Sequence, residues 1–169
     1  MKVVTAIEKF TSESFGINCF LAGGITNCWN WQDAVLDALS KYDARDLIVF
    51  NPRRPNFPIE DPNAAYEQIQ WEFNCLEACD IFSMYFAAGD SDQPICMYEL
   101  GRNLISMQWK FRRTYMDRIV ITCEPGYHRQ QDVEIQSKLA LGKNIMTAVP
   151  TPEEHALRII ECYNRIMGF

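Results

Sequence analysis

Two glutamates, Glu72 in QIQWEFNCLEACDIFSMYF and Glu99 in PICMYELGRNL, are the residues best able to do chemistry in this chain. Each sits in a stretch with helical spacing, and the two stretches flank an apolar run, Ile81–Phe86. A strand there aims its C-terminal end at the turn that opens the second helix. Two carboxylates brought together at such an edge can divide the work at a sugar carbon, one as nucleophile and the other as acid. Pro94 suits the first turn of the second helix, which sets Glu99 near that helix's N-terminus. Unpaired N–H groups and the helix dipole there favour the ionised form that a nucleophile needs. Leu100-Gly101 after it lets the backbone pack closely against a neighbour. Beside Glu72, Trp71 and Phe73 offer an apolar wall that would raise a carboxyl toward the range of a general acid. On residue type alone, Glu99 also reads as an ordinary helix-N-terminal acid and Glu72 as a solvated one.

Other polar residues support either a ligand or the fold. Asp80 opens the apolar strand and suits a substrate contact or a backbone cap. Asn51, Arg53 and Arg54 belong to the loop NPRRPNFPIEDPN, where the arginines can hold a phosphate or carboxylate, or form a loop salt bridge. Trp29, Trp31, Tyr85 and Tyr98 can wall a base pocket or fill the core. Ser12, Ser14 and the histidines His128 and His155 form no triad pattern. Neither GxGxxG nor GxxxxGK[ST] occurs, so dinucleotide and triphosphate cradles have no support. Seven cysteines without a CxxC pair read as reduced, buried thiols in a cytoplasm-like compartment. With only two histidines to help, they imply no metal site.

The elements that must position the two acids follow from an alternation of apolar runs and amphipathic stretches. Strands are expected at Cys19–Ala22, ending in Gly23-Gly24, and at Leu47–Phe50, Asp80–Phe86, Arg118–Thr122 and Asn144–Ala148. Helices are expected at Trp29–Ser40, at Ala64–Ala78 with Asn63 as cap, and from Pro94 to about Lys110. Two more are expected at Val133–Leu141 and, behind a Thr151 cap, over TPEEHALRIIECYNRIM. Val3–Phe10, within residues 1–17, reads as an extra strand or an arm. The fold class is therefore α/β: one flavodoxin- or Rossmann-like domain over residues 1–169, its sheet about five-stranded, mostly parallel and covered on both faces. Ligands of such sheets sit beyond the C-terminal strand ends, which here selects the loops Gly23–Asn27, Asn51–Asn63 and Ala87–Pro94.

A net charge of -6 argues against a nucleic-acid polymer, whose recognition needs clustered positive charge. No run approaches the roughly 18–20 apolar residues of a membrane span, and MKVVTAIEKF lacks a secretory apolar core, so a soluble cytoplasmic protein is expected.

Taken in order, CFLAGGI, VFNPRRPNF, QIQWEFNCLEACDIFSMYF and MYELG resemble the nucleoside 2-deoxyribosyltransferase family over residues 18–146, especially its branch with an Asn-Pro-Arg-Arg loop. The resemblance gives the Glu of ELG, Glu99, the part of nucleophile at the anomeric carbon. It places the second acid eight residues before the Asp that opens the strand, which from Asp80 is Glu72, where familiar members carry Asp. Six residues before the nucleophile, relatives hold the sugar's 5′ group with Asp or Ser; this chain has Gln93, with Asp92 adjacent.

The activity implied is transfer of a 2-deoxyribosyl group between nucleobases through a glycosyl ester, as in nucleotide salvage. A nucleoside or nucleoside 5′-monophosphate N-glycosidase using the same residues is the nearest alternative, and a non-catalytic nucleotide-binding module the next. The substrate-binding set then comprises Gly23, Gly24, Asn51, Arg53, Arg54, Asp80, Asp92, Gln93, Tyr98 and Asp132. The partners are a small nucleoside or nucleotide and a free base, with no cofactor, metal, nucleic-acid polymer or membrane. The resemblance also implies a homo-oligomer, dimeric or higher, with the loop Gly126–Asp132 (Tyr127, Arg129, Asp132) as the segment offered to a neighbour's pocket.

Overall fold

The computed structural model describes residues 1–9, 16–58 and 60–169. Runs rich in β-branched and aromatic residues form the strands β1 (Lys2–Thr5), β2 (Ile17–Gly23), β3 (Leu47–Asn51), β4 (Ile81–Phe86) and β5 (Ile119–Cys123). They make one parallel sheet in the order β1-β3-β2-β4-β5. Parallel neighbours need crossovers, and these are helical. α1 (Trp31–Leu39) joins β2 to β3, α2 (Ala64–Ala78) joins β3 to β4, and α3 (Pro94–Phe111) leads from β4 toward β5. α4 (Gln130–Leu141) and α5 (Pro152–Met167) follow. This is the flavodoxin-like α/β class that the alternation implied.

Both sheet faces are covered. In β4, Ile81 and Tyr85 join Trp31 and Val35 of α1 and Ile159 of α5, whereas Phe82, Met84 and Phe86 join Cys75 of α2 and Leu100 of α3. Burial on both faces is why these strands are continuous apolar runs rather than alternating ones. Each such side chain contributes about 1.5–3 kcal/mol by leaving water. One polar network lies under the sheet: His155 bonds Ser83 Oγ through Nε2 and Thr122 Oγ1 through Nδ1, each at 2.7 Å. Burial pulls His155 down to about 3, so it is a neutral, satisfied core residue and not a base.

Two expectations need correction. Asn144–Ala148 is not a strand; it adds a single bridge, Ile121 to Met146, because Asn144 Oδ1 accepts the Met146 N–H and turns the chain. The fifth strand is instead β1, on the β3 edge. The remainder of Val3–Phe10 carries no further strand as far as Lys9, and Phe10, Ser12 and Ser14 lie outside the described residues. Asn63 also makes no side-chain cap, although Thr151 Oγ1 accepts from the Glu154 N–H as expected.

The chain winds outward from β2 to β3 and then returns past β2 to β4, so the winding reverses and a crevice opens between the C-terminal ends of β2 and β4. No helix among the described residues is long and apolar enough to cross a membrane.

Candidate active site

At that crevice β2 ends on a backbone stripped of side chains. Gly23 has φ +153°, and a Cβ there would lie 2.3 Å from the Tyr85 carbonyl and 2.4 Å from the Trp31 ring. A Cβ on Gly24 would meet Gln93 Oε1 at 2.6 Å. The two glycines thus let the β4–α3 loop close onto the strand end. Trp31 stacks on Tyr85 with ring centres 4.7 Å apart and donates its indole N–H to the Gly24 carbonyl at 2.9 Å. Gln93 is buried at φ +47°, with Nε2 donating to the Ala87 carbonyl at 2.7 Å.

A cavity of about 390 Å³ opens here, within the range of small-molecule sites. Phe20, Ile25, Pro52 and Ile95 give it apolar walls, Thr26 and Ser91 add hydroxyls, and Glu72 of α2 and Glu99 of α3 both line it. All three loops selected from the sequence contribute to it: Gly23, Gly24 and Gln93 line it, as do Pro52 and Pro94.

Both acids hold their protons above the usual carboxylate range. Burial is the larger cause for Glu99, the nearby Glu72 carboxylate adds to it, and Arg102 opposes it, leaving Glu99 at about 7. Burial also raises Glu72, and an amide hydrogen bond from Gln68 works against the rise. Like charges in one half-buried pocket cannot both ionise cheaply, so the charge on either carboxylate disfavours ionisation of the other. This differs from the expected division. Pro94 begins α3, so Glu99 falls in its second turn, beyond the free N–H groups, and burial prevails over the dipole. Nor do Trp71 and Phe73 wall Glu72: Trp71 points into the core with its N–H on the Glu8 carbonyl, and Phe73 is half exposed beneath Arg102. The apolar surroundings are Phe20 and Pro52 instead.

Several predicted contacts lie elsewhere. Asp80 sits at the opposite, N-terminal end of β4, where Oδ2 accepts the Asn18 N–H at 3.0 Å; it is a backbone cap. Arg53 gives Nε to Gln32 Oε1 at 2.8 Å and Nη2 to the carbonyls of Gly24, Ile25, Cys28 and Trp29 at 3.0–3.5 Å. Nε and Nη2 thus tie α1 to the β2–α1 loop. Arg54 lies over Phe57, and it lines a separate cavity with Asn51 and Arg53. Asp92 is exposed and bonded to His128 Nε2 at 2.7 Å. Tyr98 is 70% exposed, and Asp132 pairs with Arg129 on the surface. Tyr127 is turned inward onto Phe86, with its hydroxyl on the Asp92 carbonyl, and is not free to reach a neighbour. Gly101 has open space where a side chain would sit, so close packing within this chain does not explain it.

Two supporting residues escape a reading by motif. Gln68 bonds Glu72 directly at 2.7 Å. Glu124 accepts from the Tyr85 hydroxyl at 2.6 Å, the Ala88 N–H at 2.7 Å and the Trp29 indole at 3.1 Å, locking together two loops that line the cavity. The spacing of Gln68 and Glu72, four apart on a helix, was a usable signal; nothing local marks Glu124.

A family model described as nucleoside 2-deoxyribosyltransferase like matches residues 16–109, more than half of the chain. The chain belongs to that family. The matched span runs from the entry of β2 into α3 and contains both acids and the three loops of the cavity. A comparison with curated proteins finds no match. Family membership makes this an enzyme of the nucleoside deoxyribosyltransferase type, with nucleosides and nucleobases as its class of substrate. Among the described residues no group of three or more His, Cys, Asp or Glu is arranged to hold a metal ion, and all seven cysteines are free thiols.

Proposed function

We propose that this protein transfers a 2-deoxyribosyl group from one nucleobase to another by double displacement through an ester on Glu99. The observation that carries the reading is the convergence of Glu72 and Glu99 on one cavity, close enough for the charge of one to raise the other. The reacting form carries the proton on Glu72, and Glu99, ionised in that form, attacks C1′ as the glycosidic C–N bond breaks through an oxocarbenium-like transition state. The bonding pair leaves with the base, whose nitrogen takes a proton from Glu72. An incoming base gives its proton to Glu72 and displaces Glu99 from C1′, and two inversions restore the β configuration.

The lining supports a free nucleoside over a monophosphate. Among the described residues the cavity wall has two carboxyls and no lysine or arginine, and Arg53 and Arg54 line a separate cavity. Gln93, Ser91 and Thr26 are the polar groups left for a 5′-hydroxyl. Hydrolysis, with water taking the ester, is the second reading, favoured by the 66% exposure of Ile95 at the cavity wall. A homo-oligomer would close that side.

The test is chromatography of 2′-deoxynucleosides and their 5′-monophosphates incubated with the protein, each with and without a second free base. A new nucleoside formed only with the second base, and lost about 10³-fold in Glu99→Ala, is the expected result. Free base released regardless of acceptor means hydrolysis. Full turnover by Glu99→Ala overturns the mechanism.

A further inference from the structure

Gln68 lies one turn before Glu72 on α2, and its Nε2 donates to Glu72 Oε1 and to the Pro52 carbonyl, both at 2.7 Å. Both partners are acceptors, so only the NH₂ end of the amide can face them. That contact uses both amide hydrogens. Turned over, the amide oxygen would confront a carbonyl and a carboxylate. Gln68 Oε1 is itself buried with no partner, so the arrangement is kept for what Nε2 does. Oε2 of Glu72 accepts no hydrogen bond from any described residue.

We propose that Gln68 is a positioning residue that sorts the two oxygens of Glu72: the amide holds Oε1, and Oε2 carries the proton that goes to the leaving base. The inference rests on the transfer chemistry proposed above. In the first half-reaction the C1′–N electron pair passes to the base nitrogen, the Oε2 proton bonds to that nitrogen, and a Glu99 oxygen bonds to C1′. In the second half-reaction the incoming base's proton lands on the same Oε2. Because Pro52 is also a cavity wall, one amide fixes the acid relative to the space in which the base is handled.

Among the described residues the groups facing Glu72 are few. Cys75 on its own helix and Cys96 from α3 are pushed up to about 12 and stay neutral, while Glu99 from α3, at about 7, changes charge near neutrality. Phe20 and Ala22 of β2 and Pro52 carry no charge. Removal of the Gln68 donor therefore has a readable consequence.

The experiment compares wild type, Gln68→Met, which keeps length and helix propensity without a donor, and Gln68→Lys, which keeps a donor. Carboxyl carbons of ¹³C-labelled glutamate are titrated by NMR, and the pH profile of base transfer is recorded. Gln68→Met should raise the Glu72 midpoint by about one pH unit and lower kcat about tenfold, with KM little changed. Gln68→Lys should return the midpoint to the wild-type value or below and recover most of kcat. An unmoved midpoint in Gln68→Met overturns the inference even where transfer is established. So does a moved midpoint with kcat and pH profile unchanged. A moved midpoint in a protein whose wild type acts on no nucleoside sinks the transfer reading instead and leaves the hydrogen-bond assignment standing.

Discussion

A carboxyl group that keeps its proton to about 7, as Glu99 does, is a cost that the folded chain bears for chemistry. Its pKa is raised on folding, so its contribution to stability is fully present in acid and is lost as pH rises through about 7. Glu99→Gln, which cannot ionise, should match wild type in urea unfolding at pH 4. At pH 8 it should exceed wild type by on the order of 2 kcal/mol, a figure discounted for partial exposure, while being inactive. Equal stability at both pH values would mean that Glu99 is solvated and not pressed against Glu72. At this scale the sequence was informative about identity and silent about ionisation. The two acids could be found from their segments and from the distance to Asp80. That Pro94 begins the helix was also legible, yet the inference drawn from it failed for Glu99, because burial is set by Phe20, Pro52 and Ile95 from three separate segments.

Between the residue and the sheet, the loops decide what reaches the acids, and Arg53 decides where one loop lies. Its guanidinium joins Gln32 on α1 to four carbonyls of the β2–α1 loop, the segment that supplies Ile25 and Thr26 to the cavity. An ammonium cannot span that fork, since lysine lacks the planar arrangement of donors. Arg53→Lys should therefore lower the unfolding free energy by about 2 kcal/mol and raise KM for deoxynucleosides. It should leave the ratio of activity on nucleosides to activity on monophosphates unchanged. A selective loss on monophosphates would instead make Arg53 a phosphate contact. The elements themselves were mostly readable: Ala64–Ala78 matches α2 end to end, and Pro94 and Thr151 mark helix starts as their chemistry dictates. The failure was the edge strand. Lys2–Thr5 and Asn144–Ala148 are both short and partly apolar, but in the second the Asn144 side chain captures the Met146 N–H and the pairing stops at one bridge.

At the scale of the whole molecule, one surface is left without an explanation inside the chain. Tyr66, Ile69 and Phe73 on α2 and Ile95, Tyr98, Ile105 and Trp109 on α3 are all half or more exposed. The two helices are tied across this face by Arg102, which lies 4.4 Å over Phe73 and pairs with Glu77. At the roughly 150–250 Å² that a large side chain offers, these residues present on the order of 900 Å², about one partner's share of a standard interface. A second copy would suit this face, because its charge is already paired through Arg102 and Glu77, so like surfaces could meet although the chain carries a net charge of -6. The face also runs to the cavity through Ile95, and Gly101, which nothing approaches within one chain, lies on the same helix. Covering it would exclude water from the ester on Glu99 and so favour a base over water as acceptor. If copies pair through this face, wild type should sediment as a dimer and Ile105→Glu with Trp109→Glu as a monomer of unchanged melting temperature, since both side chains are exposed in the single chain. The same variant should release more free base per nucleoside exchanged than wild type does. A wild-type protein that sediments as a monomer and still transfers without hydrolysis would show that the cavity dries itself, and the apolar face would then have no part in the reaction.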